Sequence, residues 1–283
     1  MIKSILMPAK TDQRYYDTHY RFFINTAKAA GVGVKTFEDN RKGQGFVMWF
    51  RNYRALVDFG DHMCLAEDMA DFDIVFKFHY SKVRHAGIER LYPLVPISFH
   101  NWGSYTRLLP KINYTANGDR ILNNQRPGAA AIERRTTVQH MLMREYGIKI
   151  DRAITDQLTF WLKVNKAFVA VCVPGARNDI LDRGQWQQMA FGMCTISPRL
   201  NIMLTHWREP MPGVHYVECA GDYADLLDVI ERCRSNRGTC VEIGRNAKEL
   251  FAATATPERV WAWINACALE QGLGTLKGEK HAP

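Results

Sequence analysis

Short β-prone runs alternate with amphipathic segments along most of this chain, and the alternation limits the folds that it can adopt. Five runs in the first half have the length and composition of strands: SILMPA, VKTF, ALVDFGD, DIVFKFHY and YPLVPISFH. Helical patterns predict helices over residues 12–30 and 45–56. Strands that alternate with helices form a parallel sheet with helices on both faces, so the sequence predicts an α/β fold.

The same pattern starts again near residue 120. Further strands are predicted in DRILNN, IKIDRAI, KAFVAVCVPG, MCTISP and VHYVEC, with helices at 129–146, 222–234 and 240–253. We therefore expect two Rossmann-like domains facing a cleft, the first over residues 1–110 and the second over 111–255. A closing helix and tail, 256–283, are predicted to pack back toward the first domain. Ligands of such sheets bind at the carboxyl ends of the strands.

The positive charge of the chain is concentrated in one segment. The formal net charge is +8, and residues 77–152 alone hold thirteen Lys and Arg against five Asp and Glu, an excess of eight. The remaining residues are therefore neutral in sum. A basic segment is typical of a solvated surface, of a site for an anionic small ligand or of a surface that binds nucleic acid. Charge alone leaves these three possibilities open.

The seven cysteines are an odd number at irregular spacing, which predicts no disulfide framework and a reducing compartment. The apolar run near the N-terminus is too short for a signal peptide. No stretch reaches the roughly 18 apolar residues that a membrane-spanning helix requires. We therefore expect a cytoplasmic protein with no membrane span.

The segment NDILDRGQWQQMAFGMCTISP, residues 178–198, predicts a buried helix whose first turn carries charges of both signs. Its apolar stripe repeats at helical spacing, at Trp186, Met189, Ala190 and Met193. Asp179 is the predicted N-cap. Asp182 and Arg183 are predicted to follow in the first turn.

Charges of both signs at the start of a helix suit a nucleotide. The free N–H groups of a first turn attract phosphate, and Arg183 adds a bidentate guanidinium. A carboxylate such as that of Asp182 can accept hydrogen bonds from the two hydroxyls of a ribose. The simpler alternative is that Asp179 and Asp182 only cap the helix while Arg183 is solvated.

The order of motifs in the second half resembles a known family. PGARNDILDRGQWQQMAFG, CTISP, HYVEC, DYADLLDVIERC and IGRNAKELF follow one another and precede a closing helix. This order is similar to the nucleotide-sugar domain of GT-B glycosyltransferases, in particular the branch of KDEL-type protein O-glucosyltransferases and capsule-associated relatives. Ala190-Phe191-Gly192 matches the small-x-Gly turn of that branch, and His215-Tyr216 matches its HY strand. The resemblance covers about residues 120–265, and the first half matches only in architecture.

The resemblance implies a GT-B fold and the transfer of a hexose from a nucleotide sugar, such as a UDP-sugar, with no further cofactor. The residues that it implies for binding this nucleotide sugar are Arg126, Arg177, Asp179, Asp182, Arg183, Ser197 and Tyr216. Arginines and a helix start are expected to stabilise the leaving diphosphate without a metal. Arg134 and Arg135 either lie close to the diphosphate or occupy an exposed helix face.

Two departures from known patterns bear on mechanism and metal. Retaining members of the family carry a pair of glutamates in this region, and Asp179 and Gln187 stand in roughly those places here, so an inverting reaction is favoured. Asp71-Phe72-Asp73 has the D-x-D form that holds a divalent ion in the other glycosyltransferase architecture. It lies at a predicted helix-to-strand junction, where aspartates commonly act as caps, and we interpret it as structural.

An inverting enzyme needs one general base to take the proton of the acceptor hydroxyl. The candidates follow predicted strands of the first domain. Asp61 is the first choice because Gly60 creates a turn before it, and His79 is the second. His100 and Asp58 are further candidates.

The sequence leaves the acceptor open among glycan, protein, lipid, small molecule and modified DNA. One alternative is therefore a phage-type glycosyltransferase that acts on hydroxymethylated bases of DNA, because such enzymes are also basic and lack a membrane anchor. The other alternative is a non-catalytic basic protein that binds nucleic acid through phosphate contacts.

Overall fold

The computed structural model describes most of the chain, namely residues 2–8, 14–37, 45–60, 65, 68–99, 102–123, 125, 127, 131–147, 157–175 and 177–273. The chain divides into two compact units. Unit 1 consists of Met1–Trp102, Met203–Glu209 and Ala253–Pro283, and unit 2 of Gly103–Ile202 and Pro210–Ala252.

Strands and helices alternate through both units. The strands are β1 (Ser4–Pro8), β2 (Gly33–Phe37), β3 (Gly45–Phe50), β4 (Tyr53–Asp58), β5 (Ile74–Lys77), β6 (Leu91–Pro93), β7 (Arg120–Leu122), β8 (Ala167–Val171), β9 (Thr195–Ser197) and β10 (Val217–Glu218). The helices are α1 (Arg14–Ala29), α2 (Lys82–His85), α3 (Trp102–Leu108), α4 (Ile132–Tyr146), α5 (Gln157–Leu162), α6 (Arg183–Ala190), α7 (Leu226–Ser235), α8 (Arg237–Thr254) and α9 (Pro257–Glu270). The α/β class that the sequence predicts is confirmed.

The sheet of unit 1 has six strands in the order β2-β1-β3-β4-β5-β6 and is mixed. β1 pairs in parallel with β2, and β5 pairs in parallel with β4 and β6. β3 is antiparallel to both β1 and β4. The interior strands are almost entirely buried, and the helices α1 and α9 of this unit pack together, with the rings of Phe23 and Trp261 5.3 Å apart.

β3 and β4 form a hairpin, so the helix predicted over 45–56 is wrong. Phe50 pairs with Tyr53 across a two-residue turn, in which Arg51 has a φ of 55°. The run GFVMWF is apolar almost throughout and buried at most positions. Such a continuous run suits a strand covered on both faces better than an amphipathic helix, which needs a polar side.

β6 lies at one end of this sheet, and two of its outward-facing backbone groups are hydrogen-bonded within unit 1. The indole N–H of Trp263 donates to the carbonyl of Pro93 over 2.7 Å. The backbone N–H of Leu91 donates to the carbonyl of Ile88 over 3.4 Å. Pro93 has no N–H of its own. These outward backbone groups are therefore already satisfied or absent.

The sheet of unit 2 has four strands, all parallel, in the order β10-β9-β8-β7. The central strand β8, AFVAV, is buried at every position, as expected for a strand covered on both faces. Apolar side chains of the strands join those of α4, α7 and α8 in one core. They include Ile121, Val138, Leu142, Val169, Ile196, Val229, Ile230 and Ile243.

α6 packs by the apolar stripe that the sequence predicts. Trp186, Met189, Ala190 and Met193 are all fully buried, although the helix itself ends at Ala190. The turn after it contains Gly192 at a φ of 78°. A Cβ on Gly244 of α8 would overlap the Gly192 carbonyl, so α8 lies directly against this turn and position 244 requires glycine.

Among the residues that the structure describes, no helix is both long enough and apolar enough to cross a membrane. Six cysteines are free thiols and all are buried. Cys64, the seventh, lies outside the described residues. The predicted strand IKIDRAI also lies outside them, since residues 148–156 are not described.

Candidate functional site

Two arginines of α4 reach the loop that follows β8 at the carboxyl end of the unit 2 sheet. Arg135 donates from Nε to the carbonyl of Val173 over 3.0 Å, and its Nη2 lies 3.2 Å from Oδ2 of Asp182. Arg134 donates to the carbonyls of Pro174 and Gly175. Both side chains are half-buried. The interpretation of these arginines as an exposed helix face is therefore wrong, because they bind loop carbonyls.

Asp182, rather than Asp179, is the N-cap of α6, so the predicted cap is wrong. Its Oδ1 accepts the backbone N–H of Gly184 over 2.8 Å, in the extended conformation usual for a cap. Its Oδ2 faces Arg135. Both carboxylate oxygens are thus engaged, and Asp182 links the start of α6 to α4. Arg183 is the first residue of the helix and is exposed.

Asp179 has other partners. Its carboxylate lies 2.5 Å from the guanidinium of Arg177, with the side chains 27% and 21% exposed. Its carbonyl accepts the backbone N–H of Asn201 over 2.9 Å. Between the pair, Asn178 accepts from the hydroxyl of Tyr223 over 3.0 Å. The loop after β8 is therefore hydrogen-bonded to the segments that follow β9 and β10.

Ser197 and Tyr216 are fully buried and serve as supports beneath this loop. The hydroxyl of Ser197 accepts from Nε2 of Gln185 over 2.9 Å and donates to the carbonyl of Pro198 over 3.1 Å. The hydroxyl of Tyr216 accepts the N–H of Leu200 over 3.0 Å. Burial raises the pKa of Tyr216 to about 12. In this conformation neither side chain presents a surface to a ligand.

A second polar group lies at the carboxyl ends of β4 and β5 in unit 1. Nζ of Lys77 is 2.9 Å from Oδ1 of Asp58, and both side chains are 0% exposed. The two residues also clamp Gly60, because Asp58 accepts its N–H over 2.8 Å and Lys77 donates to its carbonyl over 2.9 Å. Asp58 is therefore buried and paired, and it is wrong as a candidate general base.

The remaining candidates divide by whether the structure describes them. His79 follows β5 with a φ of 52° and is half-buried. Asp61, His100 and Arg126 lie outside the described residues. Asp61 follows the clamped Gly60 directly in the sequence. The roles of these residues stay predictions.

Asp71-Phe72-Asp73, the D-x-D sequence, lies directly before β5. Oδ2 of Asp73 accepts the backbone N–H of Arg54 over 2.7 Å, and the first aspartate, Asp71, is exposed at the end of a short 3-10 turn. Within the described ranges, no three His, Cys, Asp or Glu side chains are placed to hold a metal together. The carboxylate of Asp73 thus orients backbone.

Sequence reasoning missed three buried polar residues. Gln185 and Gln188 face the core from α6, where Gln188 accepts from the thiol of Cys172 over 3.0 Å. Burial raises the pKa of that thiol well above its usual range. Lys77 was overlooked as well, although a single charge inside the apolar run DIVFKFHY is a signal for a buried ion pair.

Comparison with known proteins adds no relative. No family model matches the sequence, and no curated protein matches it either. The resemblance to GT-B glycosyltransferases therefore rests on the ordered motifs quoted for it.

The loop after β8 and the start of α6 carry two arginines and two carboxylates, and α4 adds Arg134 and Arg135. Arg135 pairs with Asp182 and Arg177 with Asp179, while Arg134 donates to the loop carbonyls and Arg183 is exposed at the start of α6. Guanidinium groups bind phosphate oxygens in a bidentate manner. Both ion pairs retain partial exposure, so an anionic ligand can exchange with the carboxylates for the same arginines.

Proposed function

We propose that this protein is a glycosyltransferase that moves a hexose from a nucleotide sugar to an acceptor hydroxyl, with inversion and without a metal. The observation that carries the proposal is the arginine cluster at the carboxyl end of the parallel sheet of unit 2. Nucleotides bind at this position in open α/β sheets. The ordered motifs that resemble a GT-B nucleotide-sugar domain agree with it. Two Rossmann-like domains facing a cleft are part of the proposal.

In the proposed reaction, the arginines bind the diphosphate and stabilise the charge that develops as it leaves. Arg177 and Arg135 are the members whose ion pairs are partly accessible. Asp182 acts on Arg135, which it orients while it caps α6. Fixed cations in a partly dry site stabilise developing charge without reorganisation. Arg126 stays a predicted member of this group.

The acceptor oxygen attacks the anomeric carbon as the bond from that carbon to the diphosphate oxygen breaks. The proton of the acceptor hydroxyl passes to one general base. Asp61 is the first candidate for this base and His79 the second. The clamp of Asp58 and Lys77 fixes Gly60, immediately before Asp61. The backbone immediately before His79 is held as well, since Phe78 donates its N–H to the carbonyl of Asp58 over 2.8 Å.

Modified DNA is less well supported as the acceptor than the basic segment suggests. Among the described residues of 77–152, five cations already donate to carbonyls or carboxylates of their own unit: Lys77, Arg90, Arg107, Arg134 and Arg135. Cations bound in this way contribute less to phosphate contacts along a duplex. Duplex binding that falls steeply with salt would favour the DNA alternative.

The test is nucleotide binding, followed as a thermal shift with UDP, GDP, ADP and UDP-glucose. A nucleotide at about 100 times its dissociation constant should stabilise the fold by about 2.7 kcal/mol. Arg177→Ala should weaken its affinity by at least about tenfold, which is about 1.4 kcal/mol. Arg199→Ala is the matched control, because Arg199 is 66% exposed and its distance to Glu218, 3.8 Å, is long for an ion pair.

Three outcomes would contradict the proposal. The first is that no nucleotide shifts the melting temperature. The second is that Arg177→Ala and Arg199→Ala bind nucleotide like the wild type. The third is transfer activity that disappears in excess EDTA and returns with Mn²⁺, which would replace the arginines by a metal.

A further inference from the structure

Four large apolar side chains of unit 1 are exposed around one groove beside β6. Val83, Ile88, Trp207 and Leu269 are 89%, 39%, 87% and 52% exposed. Ile88 lines the groove, and each of the other three is the direct neighbour in sequence of a residue that lines it. Only nine large apolar side chains are exposed in the described part of the chain, so nearly half of them surround this groove. An apolar patch of this kind marks a surface that binds a partner.

The two most exposed of these side chains are held at the surface by the local backbone. Val83 lies in α2, whose last residue donates its N–H to the carbonyl of Ser81 over 2.8 Å. Trp207 lies in a turn that is closed by the N–H of Leu204, which donates to the carbonyl of Arg208 over 2.8 Å. Both side chains thus keep apolar area in water, which is unfavourable until something covers it.

The bottom of the groove is already packed. Leu91, Tyr92 and Met203 line it and are 3%, 3% and 6% exposed. The apolar area that is open to a partner therefore belongs to the rim and not to the floor. A partner has to cover this rim, so a broad protein surface suits it better than a small molecule does.

The two walls of the groove have opposite net charge. The positive wall is the segment between β5 and β6, which holds three exposed cations and one exposed carboxylate. The negative wall consists of residues 203–209 and 269–271, which hold one exposed cation and two exposed carboxylates. The charged residues are Lys82, Arg84, Arg90 and Glu89 on the positive wall, and Arg208, Glu209 and Glu270 on the negative wall.

We infer that the rim of Val83, Ile88, Trp207 and Leu269, with its two charged walls, binds a second copy of this chain in a two-fold symmetric dimer. A two-fold axis places the same surface of both copies face to face. The positive wall of one copy then meets the negative wall of the other, while the apolar rims bury each other as in the centre of a protein interface. An anionic lipid surface would instead attract one wall and repel the other.

The experiment is sedimentation velocity of the full chain across a dilution series, in which a reversible dimer is expected. Trp207→Ala should raise the dissociation constant of the dimer by at least about tenfold, because a tryptophan buried in an interface commonly dominates its affinity. Val83→Glu should do the same by placing a charge against the apolar rim of the other copy. Val241→Glu is the matched control, because Val241 is 39% exposed on α8 of unit 2 and does not line the groove.

Charge reversal tests whether the surface is complementary to itself. Lys82→Glu combined with Arg84→Glu makes both walls negative and should dissociate the dimer. Adding Glu209→Lys and Glu270→Lys reverses the second wall as well. Opposite charges then face each other again, so the fourfold variant should recover association.

Four results would overturn the inference. The chain could stay monomeric throughout the dilution series, or Val83→Glu and Val241→Glu could affect the dimer equally. The fourfold variant could be no more dimeric than the double variant. Finally, a monomeric chain could bind phosphatidylserine vesicles and lose that binding with Val83→Glu, which would make a lipid surface the occupant. Circular dichroism checks that each variant is folded, and nucleotide thermal shifts on the same samples report separately on the proposed function.

Discussion

The carboxyl ends of the two sheets carry ion pairs that differ in accessibility. In unit 1, Lys77 and Asp58 are 2.9 Å apart with 0% exposure on both sides. In unit 2, Arg135 and Asp182 are 3.2 Å apart and 14% and 21% exposed. The first pair has no surface for a ligand and can act only on the protein. The second is partly exposed, and in the proposed function its arginine binds the diphosphate.

The difference arises from desolvation. Removing two charges from water is costly, and a buried pair is tolerated only when further hydrogen bonds satisfy its remaining atoms. Gly60 supplies these in unit 1 by offering both its N–H and its carbonyl. In unit 2 the loop carbonyl of Val173 and the N–H of Gly184 share that task with solvent. The buried pair at the end of the unit 1 sheet therefore fixes the backbone of Gly60, whereas the pair at the end of the unit 2 sheet keeps part of its charge at the surface.

The largest effect is expected on kcat, from a change at Asp61, the residue directly after Gly60. Asp61→Asn keeps the size of the side chain but removes the proposed general base, so kcat should fall by about 10²–10⁴-fold. Affinity for the nucleotide sugar should stay unchanged, because its proposed site lies in unit 2. Asp71→Asn is the control for loss of a unit 1 carboxylate. A wild-type kcat for Asp61→Asn, together with an inactive His79→Gln, would move the role of base to His79.

A large effect on stability is expected from breaking the buried pair. Lys77→Met removes the cation that faces the buried carboxylate of Asp58, and should lower the free energy of unfolding by about 3–5 kcal/mol. Lys82→Met, at an exposed position, should change it by less than about 0.5 kcal/mol. Urea unfolding measures both. Combining Lys77→Met with Asp58→Leu removes both charges and should restore part of the lost stability. Equal stability of Lys77→Met and the wild type would contradict the conclusion that the buried pair holds the backbone of unit 1.

The smallest effect is expected at the accessible pair. Asp182→Ala removes the cap of α6 and should lower stability by about 1 kcal/mol, whereas Asp182→Asn retains a cap and should be nearly neutral. Asp179→Ala removes only a partly exposed ion pair, worth about 0–1 kcal/mol. Thermal unfolding of the three variants ranks them. A larger loss for Asp179→Ala than for Asp182→Ala would contradict the assignment of the cap.

The sequence predicts the α/β class and the buried stripe of α6 because both depend on local periodicity. Trp186, Met189 and Ala190 repeat at the helical period, and burial follows from that spacing alone. The hairpin of β3 and β4 could not be separated from a helix in the same way. A short apolar run carries no period that distinguishes the two structures.

The site is less predictable because its residues are defined by distant partners. Asp179 and Asp182 are equally good caps by residue type, and contacts with Arg177 and Asn201 decide between them. Arg135 is committed to a carboxylate 47 positions along the chain. No local pattern encodes such a pairing. The buried Lys77 was in principle visible, as one charge inside an otherwise apolar strand.

The hydrogen bonds on the outward side of β6 have a consequence for how the protein behaves at high concentration. An open outer strand is a template on which another chain can add its own strand and begin to aggregate. At Pro93 an incoming strand meets no backbone N–H donor. The Pro93 carbonyl, to which that strand would donate, already accepts the indole N–H of Trp263. A strand that paired with Pro93 would first have to displace this indole.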